Sequence, residues 1–493
     1  MAALSGTGKI GAALGVMAFG GDASSLSDFP SAGEKLSEGC EVEGGMGAKF
    51  VNVDRDTALL LPPDMREWVP EDHLVHFILE AVEQLDLSQA RVNERGTGSE
   101  QYPPSLLLAL LVYSYASGVF SSRKIERSTH DSVAVRVLCA DTHPDHDTLC
   151  TFRRQNAALL ARAFAQVLEL AARCGVLQVA GITVAIDGTK LLANASKHAA
   201  VSYARAGETM RQLDLEVAEL LAKAEQADAT PLQDGLSVPA EVARRQERKA
   251  KLAQARAAME ARAYARALAE QAAAQPERTG PPPPAPPAAK EQINFTDPDS
   301  AIMKAGSGAH FEQSYNAQAA LEVDSRLFVA ARVTRAPNDK EQLPPTFRAI
   351  APVIQSVKEV LIDSGFVSEA AVNALETKPD GQSSGVRVLA AVGRIRHGRT
   401  VADLEQRADP PAPPPEATFT EKLAHRTATR AGRQRYKLRQ QTIEPAFGVV
   451  KEVLGFRRFS LRGLAKISLE WTLVTLAYNL KRLHTLGADL QPA

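Results

Sequence analysis

The hydrophobic period of the sequence changes at Gly181. Before this glycine, apolar residues recur at spacings of three and four in HLVHFILEAVEQL, PPSLLLALLVYSYASG and NAALLARAFAQVLELAARCG, a period that predicts amphipathic helices. After it, ITVAID is a β-branched run, which predicts a short strand that ends at Asp187 with Gly188 in the following turn. A helical part followed by a sheet excludes a purely helical or a purely β fold.

Further strand patterns follow Asp187. SYNAQAALEVDSRLFVAARVT alternates apolar residues around Asp324 and Ser325, which predicts a β-hairpin. VKEVLIDSGF predicts a buried strand that ends on Asp363, and Ser368 is placed to cap the helix after it. VRVLAAVGR predicts another strand, and the last helix, SLEWTLVTLAYNLKRLHTL, places Trp471 in the core. The predicted fold class is therefore α+β and mainly helical.

These patterns, together with local composition, divide the chain into four parts. Heptad spacing from Met210 to Ala224 and a second long helix after Pro239 predict a helical hairpin, which GPPPPAPP ends as a stiff spacer. The predicted parts are a flexible tail (1–50), an all-α domain (51–178), a sheet-containing domain (179–203 and 291–486) and the helical insertion with its proline-rich spacer (204–290).

Composition limits the possible partners and compartments. The 493 residues carry a net charge of −1, so nucleic-acid binding has to depend on local basic patches rather than on the overall charge. The four cysteines share no CxxC spacing, which is typical of a reducing cytoplasm. No apolar run reaches the roughly 18 residues that a membrane span needs. We therefore predict a cytoplasmic protein with no membrane partner, associated with the nucleoid when it binds DNA.

Basic residues are concentrated between Thr427 and Gly463. The cations of this segment are Arg430, Arg433, Arg435, Lys437, Arg439, Lys451, Arg457, Arg458 and Arg462. They flank Glu444, which precedes Pro445, and the segment holds only one other acid, Glu452. A carboxylate in such a setting is unlike an ordinary solvated glutamate, and the cations around it are suited to DNA phosphates.

Asp187, Asp363 and Glu444 form a candidate metal site. Two strand-end aspartates and a helical glutamate, separated by the hairpin insertion, occur in an order that brings three carboxylates together on an RNase H-like sheet. Such a trio repels itself without cations, and it could hold two Mg²⁺ ions about 4 Å apart for phosphoryl transfer. The alternative reading is that Asp187 and Asp363 only cap turns. Asp297, Asp299 and Asp339 are competing carboxylates interpreted as loop caps, with Asp299 as a reserve ligand.

The segment around Glu444 resembles the bacterial insertion-sequence transposases of the DDE class, whose third-carboxylate motif spaces Tyr, Arg, Glu and Lys along one helix. Tyr436 and Arg439 match that motif, and six residues separate Glu444 from Lys451, as in the family. Four residues instead of three separate Arg439 from Glu444, and a kink at Pro445 would absorb the extra one.

The resemblance implies an RNase H-like mixed sheet with flanking helices, preceded by a helical domain that binds element ends. It implies that Asp187, Asp363 and Glu444 are the catalytic metal ligands for Mg²⁺, with Mn²⁺ as a substitute. It also implies that Tyr436, Arg439 and Lys451 bind DNA, and the neighbouring Arg457 and Arg458 are expected to do the same. The expected partners are the terminal inverted repeats, target DNA and a second copy of the chain.

The predicted N-terminal helical domain contains a further basic segment. Its cations, which would suit a helix-turn-helix contact to DNA, are Arg123, Lys124, Arg127, Arg153 and Arg154. The alternative is an ordinary solvated helical face. The trio His143, His146 and Cys150 resembles a zinc site, but it has no fourth ligand, and a turn capped by acidic residues is the favoured interpretation.

The sequence thus predicts a DNA transposase that cuts at the ends of its own insertion sequence and joins the freed 3′-hydroxyl to target DNA. One alternative is a catalytically inactive or domesticated DNA-binding protein derived from such an enzyme. Another is an RNase H-like nuclease that cuts without joining.

Overall fold

The computed structural model describes residues 64–92, 100–227, 237–275, 277, 280–281, 285–304, 310–392 and 409–490. The predicted N-terminal tail and part of the proline-rich spacer lie outside these residues. The described chain is 54% helical and has a mixed sheet with flanking helices, which confirms the predicted α+β, mainly helical class.

Six α-helices precede the sheet in the part of the chain that the structure describes. They are α1 (Leu74–Glu83), α2 (Pro104–Ala116), α3 (Ser122–Asp131), α4 (Val133–Leu138), α5 (His146–Gln155) and α6 (Ala157–Arg173). Side-chain caps fix several of their starts: the Ser132 hydroxyl accepts from the backbone N–H of Val135, and the Asp145 carboxylate accepts from that of Thr148 at 2.6 Å. Because the caps satisfy amide groups that have no helical partner, short helices such as α4 and α5 begin at defined residues.

The sheet is six-stranded and mixed. Its strands are β1 (Ile182–Leu192), β4 (Ala301–Lys304), β5 (Phe311–Glu322), β6 (Phe328–Thr334), β7 (Val357–Ile362) and β8 (Arg387–Ala390). The strand order is β4, β5, β1, β7, β8, and β6 also pairs with β5. Strands β1, β4 and β6 run antiparallel to β5, whereas β7 runs parallel to β1 and β8 runs parallel to β7. This is the predicted RNase H-like arrangement. The helices α9 (Leu343–Arg348) and α10 (Glu369–Glu376) connect its second half.

The first strand is longer than its sequence pattern predicts. β1 continues five residues past Asp187 to Leu192, and Gly188 lies inside the strand instead of in a turn, so that part of the prediction is wrong. The extension has a partner throughout, because β5 pairs with β1 from Val184 to Leu192. The parallel neighbour β7 stops at Ile362, so Asp187 sits where one of its two neighbouring strands ends.

A helical hairpin projects from a small two-stranded sheet, which pairs β2 (Ala200–Ser202) with β3 (Gln292–Asn294). Its helices are α7 (Tyr203–Ala227) and α8 (Val238–Ala274), with Pro239 in the first turn of α8. The heptad residue Leu213 packs in a separate small core with residues of α8 such as Leu252 and Met259. The heptads therefore join the two helices of the hairpin to each other. We call this hairpin the arm.

Among the residues that the structure describes, three α-helices and a π-helical turn follow β8. They are α11 (Phe419–Ala428), α12 (Arg430–Gly448), the turn Val449–Val453 and α13 (Leu464–Thr485). Glu444 is helical, and α12 runs through Pro445 to Gly448, so the helix does not break at the proline; it widens only at Val449.

Helix α13 joins the two halves of the fold. It packs against β6 on one side and against α2 and α6 on the other. Trp471 is fully buried, as predicted, and its Nε1 donates to the carbonyl of Gln318 in β5 at 3.1 Å. The N-terminal helices and the sheet thus share one hydrophobic core. None of the described helices is both long and apolar enough to cross a membrane.

Candidate active site

Asp187 and Asp363 lie on neighbouring strands at equivalent heights. Ile186 of β1 is paired with Ile362 of β7, so each aspartate is the next residue along two parallel strands. Parallel neighbours are about 4.8 Å apart, which brings the two carboxylates to one edge of the sheet. Asp363 also accepts from the backbone N–H of Gly365 at 2.9 Å, while Ser368 caps α10. Asp363 therefore ends its strand as predicted and orders the turn after it.

Glu444 reaches this edge through Arg439. The Arg439 guanidinium donates from Nη1 to Asp187 Oδ2 at 2.9 Å and from Nη2 to Glu444 Oε1 at 2.7 Å. Its Nε is buried and makes no hydrogen bond among the described residues. The Arg439 side chain is 9% exposed and that of Glu444 is 49% exposed. Arg439 therefore bridges the two acids from a buried position, and only Glu444 opens widely to solvent.

Burial controls the charge of Asp187. Loss of solvent raises the pKa of its carboxyl from the usual 3.8 to about 6. The Arg439 cation and the Gly188 N–H oppose this rise, whereas the charges of Asp363 and Asp339 add to it. A buried acid whose pKa is raised by burial and by neighbouring acids, and opposed by one arginine, is the electrostatic pattern of a cation-binding or catalytic centre.

The donor chemistry of the site suits a hard divalent cation. Asp187, Asp363 and Glu444 offer only carboxylate oxygens, the ligands that Mg²⁺ and Mn²⁺ prefer. In the part of the chain that the structure describes, no three His, Cys, Asp or Glu side chains are grouped closely enough to hold a metal ion. The Arg439 guanidinium lies between two of the acids and supplies positive charge there. The residue types therefore fit a metal site, and Arg439 holds two of its acids in an ion-paired arrangement.

Two other predicted residues surround the acids. The Tyr436 hydroxyl donates to the carbonyl of Ile362, the residue before Asp363, at 3.1 Å, and burial raises the pKa of this tyrosine. Lys451 is half-buried in the π-helical turn, and burial lowers the pKa of its ammonium group while the Asp187 charge opposes that shift. Tyr436 thus contacts the end of β7, and Lys451 supplies a cation near Asp187.

The remaining predicted DNA contacts lie apart from the acids. Arg457 forms an ion pair with Glu452, and Arg458 is exposed next to it. Arg123 and Lys124 are exposed on α3 in the N-terminal helical part.

One cation of the helix-turn-helix prediction is not available to DNA. Arg153 is 4% exposed and donates to the Tyr115 hydroxyl at 2.8 Å and to the Ser122 hydroxyl at 3.3 Å. It is therefore a structural residue that joins α5 to α2 and α3. Arg127 and Arg154 remain exposed.

Each residue of the trio with zinc-like spacing makes a side-chain contact with another residue. His143 Nδ1 lies 3.1 Å from the Thr129 hydroxyl, and His146 Nδ1 lies 2.8 Å from Glu126 Oε2. The Cys150 thiol donates to Ser122 at 3.2 Å. With Asp145 capping α5, the capped turn favoured from the sequence is what the structure contains.

The sequence predicts that a fourth acid, Asp339, caps a loop. Its Oδ1 accepts from Asn316 Nδ2 at 2.7 Å and from Gln318 Nε2 at 2.6 Å, and Lys190 Nζ lies 3.5 Å from its Oδ2. Both amides are fully buried, and their oxygens are unpaired among the described residues. Asp339 therefore belongs to the polar cluster beside Asp187. The sequence feature that could have predicted this cluster is the pair Asn316 and Gln318, two polar residues on the same face of an otherwise apolar strand.

Asp299, the reserve ligand, lies elsewhere. Its Oδ2 accepts from the backbone N–H of Leu464 at 3.0 Å, and its Oδ1 lies 3.5 Å from Arg262 of the arm. Asp297 is fully buried and accepts from the hydroxyl of Tyr315 at 2.9 Å. The interpretation of these two acids as structural residues fits their contacts, and the reserve assignment of Asp299 is wrong.

Two family models match this chain. Residues 63–155 match a transposase domain, DUF772, and residues 414–484 match a transposase DDE domain. The first match covers α1 to α5, and the second covers the helix that carries Arg439 and Glu444. No curated protein and no solved structure matches the chain.

Proposed function

We propose that this chain, which is a DNA transposase of the DDE insertion-sequence type, cuts DNA at the ends of its own element and joins them to a target through Asp187, Asp363 and Glu444. The observation that carries the proposal is that the strand register and one ion-pairing arginine together link the three carboxylates to one another. Asp363 is level with Asp187 on the neighbouring strand, and Arg439 links Asp187 to Glu444.

The two proposed reactions are phosphoryl transfers. In the first, a water molecule loses a proton as its oxygen bonds to the scissile phosphorus, the P–O3′ bond breaks, and the leaving oxygen takes a proton to become a 3′-hydroxyl. In the second, that hydroxyl loses its proton as its oxygen bonds to a phosphorus of the target, a target P–O3′ bond breaks, and the leaving target oxygen takes a proton. The first step consumes one water molecule, and the second conserves the number of phosphodiester bonds.

The three carboxylates would hold Mg²⁺ or Mn²⁺, which would supply charge stabilisation to the phosphate oxygens and would activate the attacking group. Around them, the Tyr436 hydroxyl holds the end of β7 in place, so that Asp363 keeps its height relative to Asp187. Lys451 contributes a half-buried cation beside Asp187 that suits a DNA phosphate. Arg439 acts as a positioning residue for Asp187 and Glu444.

The helical part that matches the transposase domain is proposed to bind the element ends. Arg123, Lys124 and Arg127 present three exposed cations on α3, and α4 and α5 follow closely in the chain. Cutting two ends requires two active sites, and we therefore propose that two copies of the chain act together on paired ends.

The test is strand cleavage and joining on labelled duplexes taken from the DNA immediately outside the coding region. Wild type would be compared with Asp187→Asn, Asp363→Asn and Glu444→Gln, in Mg²⁺, in Mn²⁺ and in a chelator. Glu369→Gln, an exposed acid in the first turn of α10, is the matched control. Activity that needs the cation, is lost in the three site variants and is kept in the control supports the proposal.

The other outcomes separate the alternatives. Wild-type protein that binds these duplexes and never cuts them is an inactive DNA-binding derivative, which contradicts the proposal. Cutting without joining, with both product strands followed, identifies a nuclease instead.

A further inference from the structure

We propose that a groove at the base of the arm binds the phosphate backbone of duplex DNA on one side of the reacting phosphate, an inference that rests on the proposed function. The groove consists of two adjoining pockets that share His198. Six lysines and arginines line it: Lys197, Arg205, Arg248, Lys251, Arg458 and Arg462. Glu312 is the only acid in the lining of these two pockets.

The first pocket lies beyond the end of β1 and has a volume of about 550 Å³. Its position is fixed by the backbone, because the N–H of Leu192 donates to the carbonyl of Arg457 at 3.1 Å and that of Phe459 donates to Leu192 at 2.9 Å. Arg462 Nε donates to the carbonyl of Asn194 at 2.9 Å. The basic segment after α12 is thereby attached to the end of the strand that carries Asp187.

The second pocket lies between α7, α8 and the small sheet, and its volume is about 300 Å³. Its floor is ordered: the Phe295 N–H donates to the carbonyl of Ala199 at 2.9 Å, and the Asn294 side chain donates to that of Ser196 at 2.7 Å. Phe295 itself is 47% exposed between the cations. An exposed aromatic ring among arginines is typical of nucleic-acid grooves.

Half of the six cations are free to bind phosphate. Lys197 lies 3.2 Å from Glu312, Lys251 lies 2.7 Å from Glu247, and Arg462 holds a carbonyl. The exposed side chains of Arg205, Arg248 and Arg458 form no ion pair with any residue that the structure describes. Unpaired like charges facing one groove repel each other, and a polyanion removes that cost while releasing its counterions.

The distance from the groove to Asp187 suits one continuous duplex. The five residue steps from Asp187 to Leu192 span about 17 Å of extended strand. Duplex DNA rises about 3.4 Å per base pair, so roughly five base pairs cover that length. A duplex with its reacting phosphate near Asp187 can therefore reach the groove without bending sharply.

The experiment measures DNA binding by full-length protein as a function of salt concentration. The test variant is Arg205→Ala/Arg248→Ala/Arg458→Ala, and the control is Arg211→Ala/Lys358→Ala/Lys378→Ala, which removes three exposed cations outside the groove. Each lost phosphate contact reduces the magnitude of the slope of log K against log salt by about 0.9. The magnitude of the slope should therefore be smaller by about 2 to 3 in the test variant than in wild type. The control should keep the wild-type slope.

Two probes locate the DNA: a fluorescent duplex from immediately outside the coding region, and a duplex of equal length with shuffled sequence. If the alanine variant has a smaller salt dependence only on the first duplex, the groove binds the element end. If the salt dependence is smaller on both duplexes, the groove binds the phosphate backbone of any duplex, target DNA included. The conservative variant Arg205→Lys/Arg248→Lys/Arg458→Lys should restore the slope, which separates lost charge from misfolding.

Failure of the groove and failure of the proposed function give different results. If wild type cuts and joins DNA while the alanine variant keeps the wild-type slope, the groove assignment is overturned and the function stands. If wild type never cuts but the slope falls as expected, the groove stands without the catalytic proposal. RNA of the same length is a further probe. If the alanine variant loses affinity for this RNA but keeps the wild-type dependence of DNA binding on salt, the groove assignment is also overturned.

Discussion

A single arginine forms ion pairs with two of the three acids of the candidate site. Without a divalent cation, Arg439 is the group that contacts both Asp187 and Glu444. Replacing it by glutamine leaves a buried carboxylate without its partner, which should lower the free energy of unfolding by about 3 kcal/mol. Mg²⁺ should recover much of that loss, because the cation binds the folded carboxylates. Urea unfolding of Arg439→Gln with and without Mg²⁺ measures both effects.

The control for this prediction lies on the same helix. Arg435 binds Glu359 at 2.7 Å and the hydroxyl of Thr183, away from the acids of the site. Arg435→Gln should also destabilise the protein, but Mg²⁺ should restore nothing. Equal recovery in the two variants would mean that the ion stabilises the protein through some other site.

The raised pKa of Asp187 makes stability depend on pH in a defined direction. Between its usual 3.8 and about 6, the folded protein holds a proton that the unfolded chain has lost, so stability falls as pH rises through this window. Above about pH 6, the ionised carboxylate costs about 3 kcal/mol. In metal-free buffer, Asp187→Asn should therefore be more stable than wild type at pH 8 and close to it at pH 4, in urea unfolding at both values.

An acid with a pKa shift of the opposite sign supplies the comparison. The N–H and hydroxyl of Thr418 lower the pKa of Glu421, so its stabilising effect is present above its usual pKa and disappears as pH falls through the lowered value. Glu421→Gln should show no gain at pH 8. If Asp187→Asn gains nothing at pH 8 either, ion pairing outweighs burial at the site.

At the scale of elements, the contact between β1 and β5 depends on a missing side chain. A Cβ at Gly188 would lie 2.2 Å from Gln318 Nε2 and 2.8 Å from Asp339 Oδ1. Because Gln318 is fully buried, it cannot move aside, and Gly188→Ala should cost about 1 to 3 kcal/mol and lower activity by displacing Asp187. Gly365→Ala is the control, since nothing lies within 4 Å of its Cβ position. Comparable losses in the two variants would contradict the packing explanation.

The same contact explains what the sequence could and could not predict. Period and composition predicted the helices, the hairpin, the strand ending on Asp363 and the core position of Trp471, because each depends on local pattern and burial. The pattern did not predict that β1 continues past Asp187, since that extension depends on a partner more than 120 residues away. The clustering of Asn316, Gln318 and Asp339 likewise depends on pairing between distant segments.

For the whole molecule, α13 makes the helical part and the sheet interdependent. Its buried Glu470 accepts from the backbone N–H groups of Ser460 and Leu461, each at 3.1 Å, and Arg153 of α5 opposes the rise in the pKa of this acid that burial causes. One helix thus connects the DUF772-like helices, the sheet and the segment that lines the proposed groove. A shared core of this kind predicts that these parts unfold together.

The two tryptophans provide the means to test this, because Trp68 lies in the helical part and Trp471 beneath the sheet. In Trp471→Phe, only Trp68 fluoresces, and in Trp68→Phe only Trp471 does. For each variant, the urea midpoint from fluorescence should equal the midpoint from far-ultraviolet circular dichroism. Loss of the Trp471 side chain should lower both midpoints of its variant together. A Trp68 signal that changes at clearly lower urea than the dichroism would mean that the helices unfold on their own.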